Sequence, residues 1–110
     1  MPKNHFIATH TFVSEEAKAD FFEMCKGMSS EEFMEGSRNE NAILIQHWMG
    51  SSDFFFCHWI AESEDQIYQQ LEEWGLQDLL NTLIHPMYRF MSAYRNSDEL
   101  DQFPQTGDRW

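Results

Sequence analysis

Apolar and polar positions alternate from His5 to Val13, with Phe6, Ala8, His10 and Phe12 on one side and His5, Ile7, Thr9, Thr11 and Val13 on the other. A period of two, rich in β-branched residues, predicts a strand. Ser14 then offers a helix cap, and Glu15 and Glu16 set negative charge against the positive end of a helix dipole. The stripe Ala17, Phe21, Met24, Cys25 and Met28 lines one helical face, with Gly27 as the stop. Ser29 and Ser30 ahead of Glu31-Glu32-Phe33-Met34 predict a further helical turn, and Gly36 to Asn41 a polar loop.

Ala42 to Met49 and Phe54 to Ala61 are two more strands, joined through the turn residues Gly50-Ser51-Ser52-Asp53 into a β-hairpin. A two-residue and a four-residue loop give the same register: Trp48 faces Phe55, His47 faces Phe56, Gln46 faces Cys57, Ile45 faces His58 and Leu44 faces Trp59. Side-chain alternation then puts Ile43, Ile45, His47, Met49, Phe54, Phe56, His58 and Ile60 on one face. Leu44, Gln46, Trp48, Phe55, Cys57, Trp59 and Ala61 take the other. Both faces are apolar enough to be covered.

Ser63-Glu64-Asp65-Gln66 has the pattern of a capping box, and Ile67, Leu71 and Trp74 recur at helical spacing up to a C-cap at Gly75. Leu79, Leu80, Leu83 and Ile84 favour a short helix capped by Asp78 and stopped by Pro86. Met87 to Tyr94 alternates as a fourth strand. Residues 1–95 therefore form one domain, and Asn96 to Trp110 a polar tail whose Leu100, Phe103 and Trp110 suggest packing against a partner subunit.

The order β-α-β-β-α-β predicts an α+β, ferredoxin-like fold with a four-stranded antiparallel sheet. Two helices cover one sheet face, so the other must meet a second surface or line a cavity. Pairing two sheets face to face in a homodimer, a dimeric α+β barrel, is the simplest arrangement.

Charge narrows the partners. Seven Lys and Arg against 19 Asp and Glu leave a formal net charge of −12, a field that repels phosphate and disfavours nucleic acid and anionic membranes. No apolar run reaches 18 residues, and Cys25 and Cys57 have neither CxxC nor zinc-type spacing, which points to reduced core thiols in a cytoplasmic protein.

Two clusters are candidates for chemistry. In that register His47 and His58 share a face at diagonal positions, and a first strand lying parallel beside the third brings His10 level with His58. Three imidazoles suit a divalent transition metal such as nickel, zinc or copper. The competing reading is three separate histidines bonded to backbone or water, and the absence of HxH and HExxH spacing favours it. On the opposite face Trp48, Trp59, Phe55, Gln46 and Cys57 make an apolar wall with a few polar groups, either a small-molecule pocket between paired sheets or a dry dimer core. Arg89, basic within the predicted fourth strand, either orients a ligand carboxylate or reaches the surface to pair with Asp or Glu. Cys57 and His58 are strand neighbours that point to opposite faces, which excludes them as a dyad.

Ile45-Gln46-His47-Trp48 and Phe56-Cys57-His58-Trp59-Ile60-Ala61-Glu62-Ser63-Glu64-Asp65-Gln66-Ile67, with Met1-Pro2-Lys3 and Gly75, resemble a family of small bacterial ferredoxin-like proteins of largely unknown function. More broadly the chain looks like the dimeric α+β barrel group. The resemblance implies a homodimer that binds a small ligand or a metal, nickel among some members. Alternatively, it implies a cofactor-free or haem-using monooxygenase acting on an aromatic compound. It carries no ligand residues over.

Overall fold

In a computed structural model that describes residues 4–89 and Met91, the chain forms four strands and three helices. Strand β1 is Asn4–Phe12, helix α1 Glu15–Cys25, helix α2 Ser30–Gly36, strand β2 Ala42–Met49, strand β3 Phe54–Ala61, helix α3 Glu64–Glu73 and strand β4 Leu80–Pro86. The sheet order is β2-β3-β1-β4 and every pairing is antiparallel. This is the ferredoxin-like arrangement. It corrects the parallel placement of β1 beside β3: the crossover through α1 and α2 returns the chain to β2, and β3 fits between as its antiparallel hairpin partner.

Local chemistry accounts for most boundaries. Ser14 caps α1 by accepting from the Ala17 amide at 3.0 Å. The capping box falls at α2, where Ser29 Oγ accepts from the Glu32 amide and a Glu32 carboxylate oxygen accepts from the Ser29 amide. Ser63 stands at the cap position of α3, but its side chain makes no capping bond. Gly75 ends that helix at φ +74, a conformation that favours glycine.

The fourth strand lies earlier than predicted. Only Leu76–Asp78 coils, as a single 3-10 turn, and Leu80 to Pro86 is extended. Leu80, Thr82 and Ile84 pair with Phe12, His10 and Ala8 of β1 on the core side, while Asn81, Leu83 and His85 point away. Helical spacing and strand alternation both fit this apolar run; the free edge of β1 decides between them. Met87 to Arg89 therefore follows the strand. Phe90 and the rest of the predicted strand after Met91, like the Asn96–Trp110 tail, lie outside the described residues.

The hairpin register changes partway. Ala42↔Ala61, Ile43↔Ile60 and Leu44↔Trp59 pair as predicted, but beyond a β-bulge at Ile45 the pairs become Gln46↔His58, His47↔Cys57, Trp48↔Phe56 and Met49↔Phe55. One extra residue in β2 reverses its facing from that point on. Ala42, Leu44, His47 and Met49 consequently share one sheet face, and Ile43, Gln46 and Trp48 the other.

Helices cover the first of these faces. Its buried core comprises Phe6, Ala8, Leu44, Phe55, Cys57 and Trp59 from the sheet, Phe21 from α1, Ile67 and Leu71 from α3, and Leu76, Leu80 and Ile84. Met24 and Met28, predicted in the α1 stripe, are instead exposed. The second face bears the row Trp48–Phe56–Thr9–Leu83 across all four strands. Trp48, Phe56 and Leu83 remain 43%, 38% and 59% exposed. None of the four strands contains Asp, Glu, Lys or Arg. No helix among the described residues is long and apolar enough to cross a membrane.

Candidate functional site

The bulge at Ile45 reverses the facing of Gln46, His47 and Trp48 relative to the predicted register. His47 turns to the helix-covered face and His58 stays on the other, so the predicted metal set separates. His10 and His47 flank Phe55 in the core, His10 stacked on its ring at a centroid distance of 4.7 Å and His47 edge-on at 5.4 Å. His58 is buried on the opposite face, its Nε2 2.9 Å from Nδ1 of His5. Gln46 Nε2 donates to His58 Nδ1 at 3.3 Å, so the proton on His58 Nε2 is donated to His5. Among the described residues no group of three His, Cys, Asp or Glu side chains is placed to hold a metal.

The predicted tryptophan wall divides as well. Phe55, Cys57 and Trp59 are buried beneath the helices, whereas Trp48 and Gln46 lie on the opposite face, which no helix among the described residues covers. A wall between two paired sheets therefore cannot include Trp59. Arg89 falls after β4, where its guanidinium donates to Met91 Sδ at 3.3 Å.

What the structure brings together is a cleft on the helix-covered side. It opens between α1, α2 and the hairpin end of β2, with a volume near 440 Å³. Phe21, Phe22 and Cys25 form one wall, Met28 to Ser30 with Phe33 and Met34 the other, and His47 and Met49 line it from the sheet. Phe33 packs over His47 at 5.2 Å and meets Trp74 edge-on at 5.7 Å. Sequence reading missed the cleft because Phe22 lay off the α1 stripe and α2 had no assigned packing role. The capping pattern at Ser29 was the available signal, since it fixes the helix that carries Phe33 and Met34.

His47 is the polar group best placed to act in the cleft. Burial lowers its pKa, which keeps the imidazole neutral at pH 7. Cys57 lies directly across the hairpin, Sγ 3.5 Å from His47 Nδ1, and burial pushes its thiol pKa up to about 12. A thiol that stays protonated donates to Nδ1 and leaves the imidazole proton on Nε2. The pair is thus a neutral hydrogen-bonding unit, not a thiolate nucleophile.

Behind Phe21 and Phe33, which also border the cleft, lies a small chamber of about 20 Å³. His10, Ser37, Trp59 and Gln70 contribute to its lining. His10 Nδ1 is 2.8 Å from Thr82 Oγ1, Ser37 Oγ donates to the Phe33 carbonyl at 2.6 Å, and Gln70 Oε1 accepts from Asn39. Burial, with a smaller contribution from His47, lowers the His10 pKa to about 4. Trp59 Nε1 is the one buried side-chain nitrogen or oxygen among the described residues without a hydrogen-bond partner.

The fold and the cleft define an α+β protein of ferredoxin-like topology with a helix-side cavity. Comparison with protein-family models, curated proteins and solved structures returned no match, and no family is identified for the chain.

Proposed function

We propose that this chain is a small-molecule-binding protein that holds a neutral, largely aromatic ligand in the cleft between α1, α2 and β2, and that it works as a homodimer. The cleft itself carries the reading: 440 Å³ lies within the range of small-ligand sites, and its lining is aromatic rings and thioethers with the Cys25 thiol, one neutral imidazole and two serines. Methionines such as Met28, Met34 and Met49 adapt their shape to a ring and favour sulfur–aromatic contacts. A formal charge of −12 disfavours anionic ligands.

The homodimer rests on the sheet face that no helix among the described residues covers. Its strands are free of formal charge in a strongly acidic chain, and the Trp48–Phe56–Thr9–Leu83 row is self-complementary in chemistry. Two copies meeting there bury apolar surface without bringing carboxylates together.

Titration with 2-ethylnaphthalene, followed by amide chemical shifts, tests the cleft. Shifts concentrated at Phe22, Met34 and His47, and weakened at least tenfold in Met34→Trp, are the expected result. Saturating ligand that leaves these residues unmoved refutes the reading.

One observation favours a second, catalytic reading. On switching to the tautomer whose Nδ1–H donates to the Cys57 sulfur, a neutral His47 presents an unprotonated Nε2 that can accept a proton from a phenolic substrate, as a cofactor-free oxygenation requires. Oxygen uptake in the presence of polycyclic phenols, lost in His47→Phe, is its test; no uptake across the panel excludes it.

A further inference from the structure

Most of the polar side chains that line the chamber are engaged. His10 has Thr82, Ser37 has the Phe33 carbonyl and Gln70 has Asn39, whereas Trp59 Nε1 has no partner although the residue is only 2% exposed. An indole N–H is a donor only, so whatever occupies the chamber beside it must accept. The volume, about 20 Å³, suits one oxygen-sized group. Phe21 and Phe33 border both chamber and cleft, and α2, which carries Phe33, contains no buried residue. These two phenyl groups are the partition between chamber and cleft, and a short substituent on a ring in the cleft reaches the chamber when they part.

We propose that the chamber is a subsite for a carbonyl oxygen of the ligand, received by the Trp59 indole N–H, so that the cleft selects aromatic ketones over the corresponding hydrocarbons. The proposal rests on the reading of the cleft as a ligand site. In the free protein a single water satisfies the indole, and the carbonyl oxygen displaces it.

A matched pair of neutral probes tests this: 2-acetylnaphthalene and 2-ethylnaphthalene, nearly equal in size and differing in the acceptor. One neutral hydrogen bond corresponds to a preference of roughly three- to tenfold for the ketone. The ketone is expected to shift the Trp59 indole signal downfield in a ¹H–¹⁵N spectrum, and the hydrocarbon is not. Trp59→Phe should abolish the preference while keeping its 2-ethylnaphthalene affinity, which also reports that the cleft has survived. Equal affinity of the native chain for both probes, or a preference retained in Trp59→Phe, overturns the subsite while leaving the cleft standing. Failure of the native chain to bind either probe removes both. The indole shift is read on the native protein and needs no variant to fold.

Discussion

His47 and Cys57 face each other across β2 and β3 with Nδ1 and Sγ 3.5 Å apart, a pairing that exists because Ile45 bulges out of the ladder. Were Ile45 paired within the ladder, His47 would stand opposite Phe56 on the other sheet face. The bulge thus supplies the cleft's imidazole and keeps Trp48 out of the core.

Deleting Ile45 should leave the facing of β2 unchanged on both sides of the cut, because Leu44↔Trp59 and Gln46↔His58 then become consecutive pairs of a regular ladder. The expected result is a folded variant that loses about 1 kcal/mol and whose His47 amide still shifts on ligand addition. A folded deletion variant that has lost the His47 shift refutes this account of the register.

The two thiols should differ sharply in reactivity. With a pKa near 12, roughly one Cys57 in ten thousand is thiolate at pH 8, and the side chain is buried as well. Cys25 is only partly buried, so despite a pKa also raised by burial it should react first with a disulfide reagent. Peptide mapping of the native protein should find Cys25 labelled and Cys57 labelled only under denaturing conditions. Equal labelling rates would show that the core opens at Cys57.

Stability should fall in mild acid. Burial lowers the pKa values of His10 and His58 to about 4 from an ordinary 6.5, with His47 and His5 as the smaller respective causes. Between pH 6.5 and 4 the unfolded chain therefore binds more protons than the folded one. The stabilisation from keeping these rings neutral is complete above pH 6.5, shrinks as pH falls, and levels off near pH 4, at about 1.4 kcal/mol per pH unit for each histidine. His10→Phe leaves Thr82 without its partner and should cost about 1 kcal/mol at pH 7. Its urea midpoint should nonetheless fall less than that of the native chain between pH 7 and pH 5. Parallel pH profiles for the two proteins would exclude a neutral His10 as the source.

Placing charge on the apolar row should separate the proposed dimer. Leu83→Glu alters a side chain 59% exposed and should leave the circular dichroism of the monomer unchanged. Light scattering is expected to give a dimer mass for the native chain and a monomer mass for the variant. A native chain that is monomeric at 100 µM, roughly the concentration at which a weak dimer with micromolar affinity is fully formed, removes the homodimer.

The sequence by itself determined the four-stranded ferredoxin-like class and most element boundaries. Those features depend on neighbours in the chain: the alternation of β1, the cap at Ser14, and the left-handed stop at Gly75. Tertiary structure decided the rest. Leu80 to Pro86 became a strand because β1 offered it an unpaired edge, although its leucines fit helical spacing equally well. The partners of His10, His47 and His58 depended on strand direction and on one bulged residue, and side-chain alternation along a single strand reports neither. A bulge satisfies packing at both ends of a hairpin at once, so its position is set by the two layers that the strand must fit between.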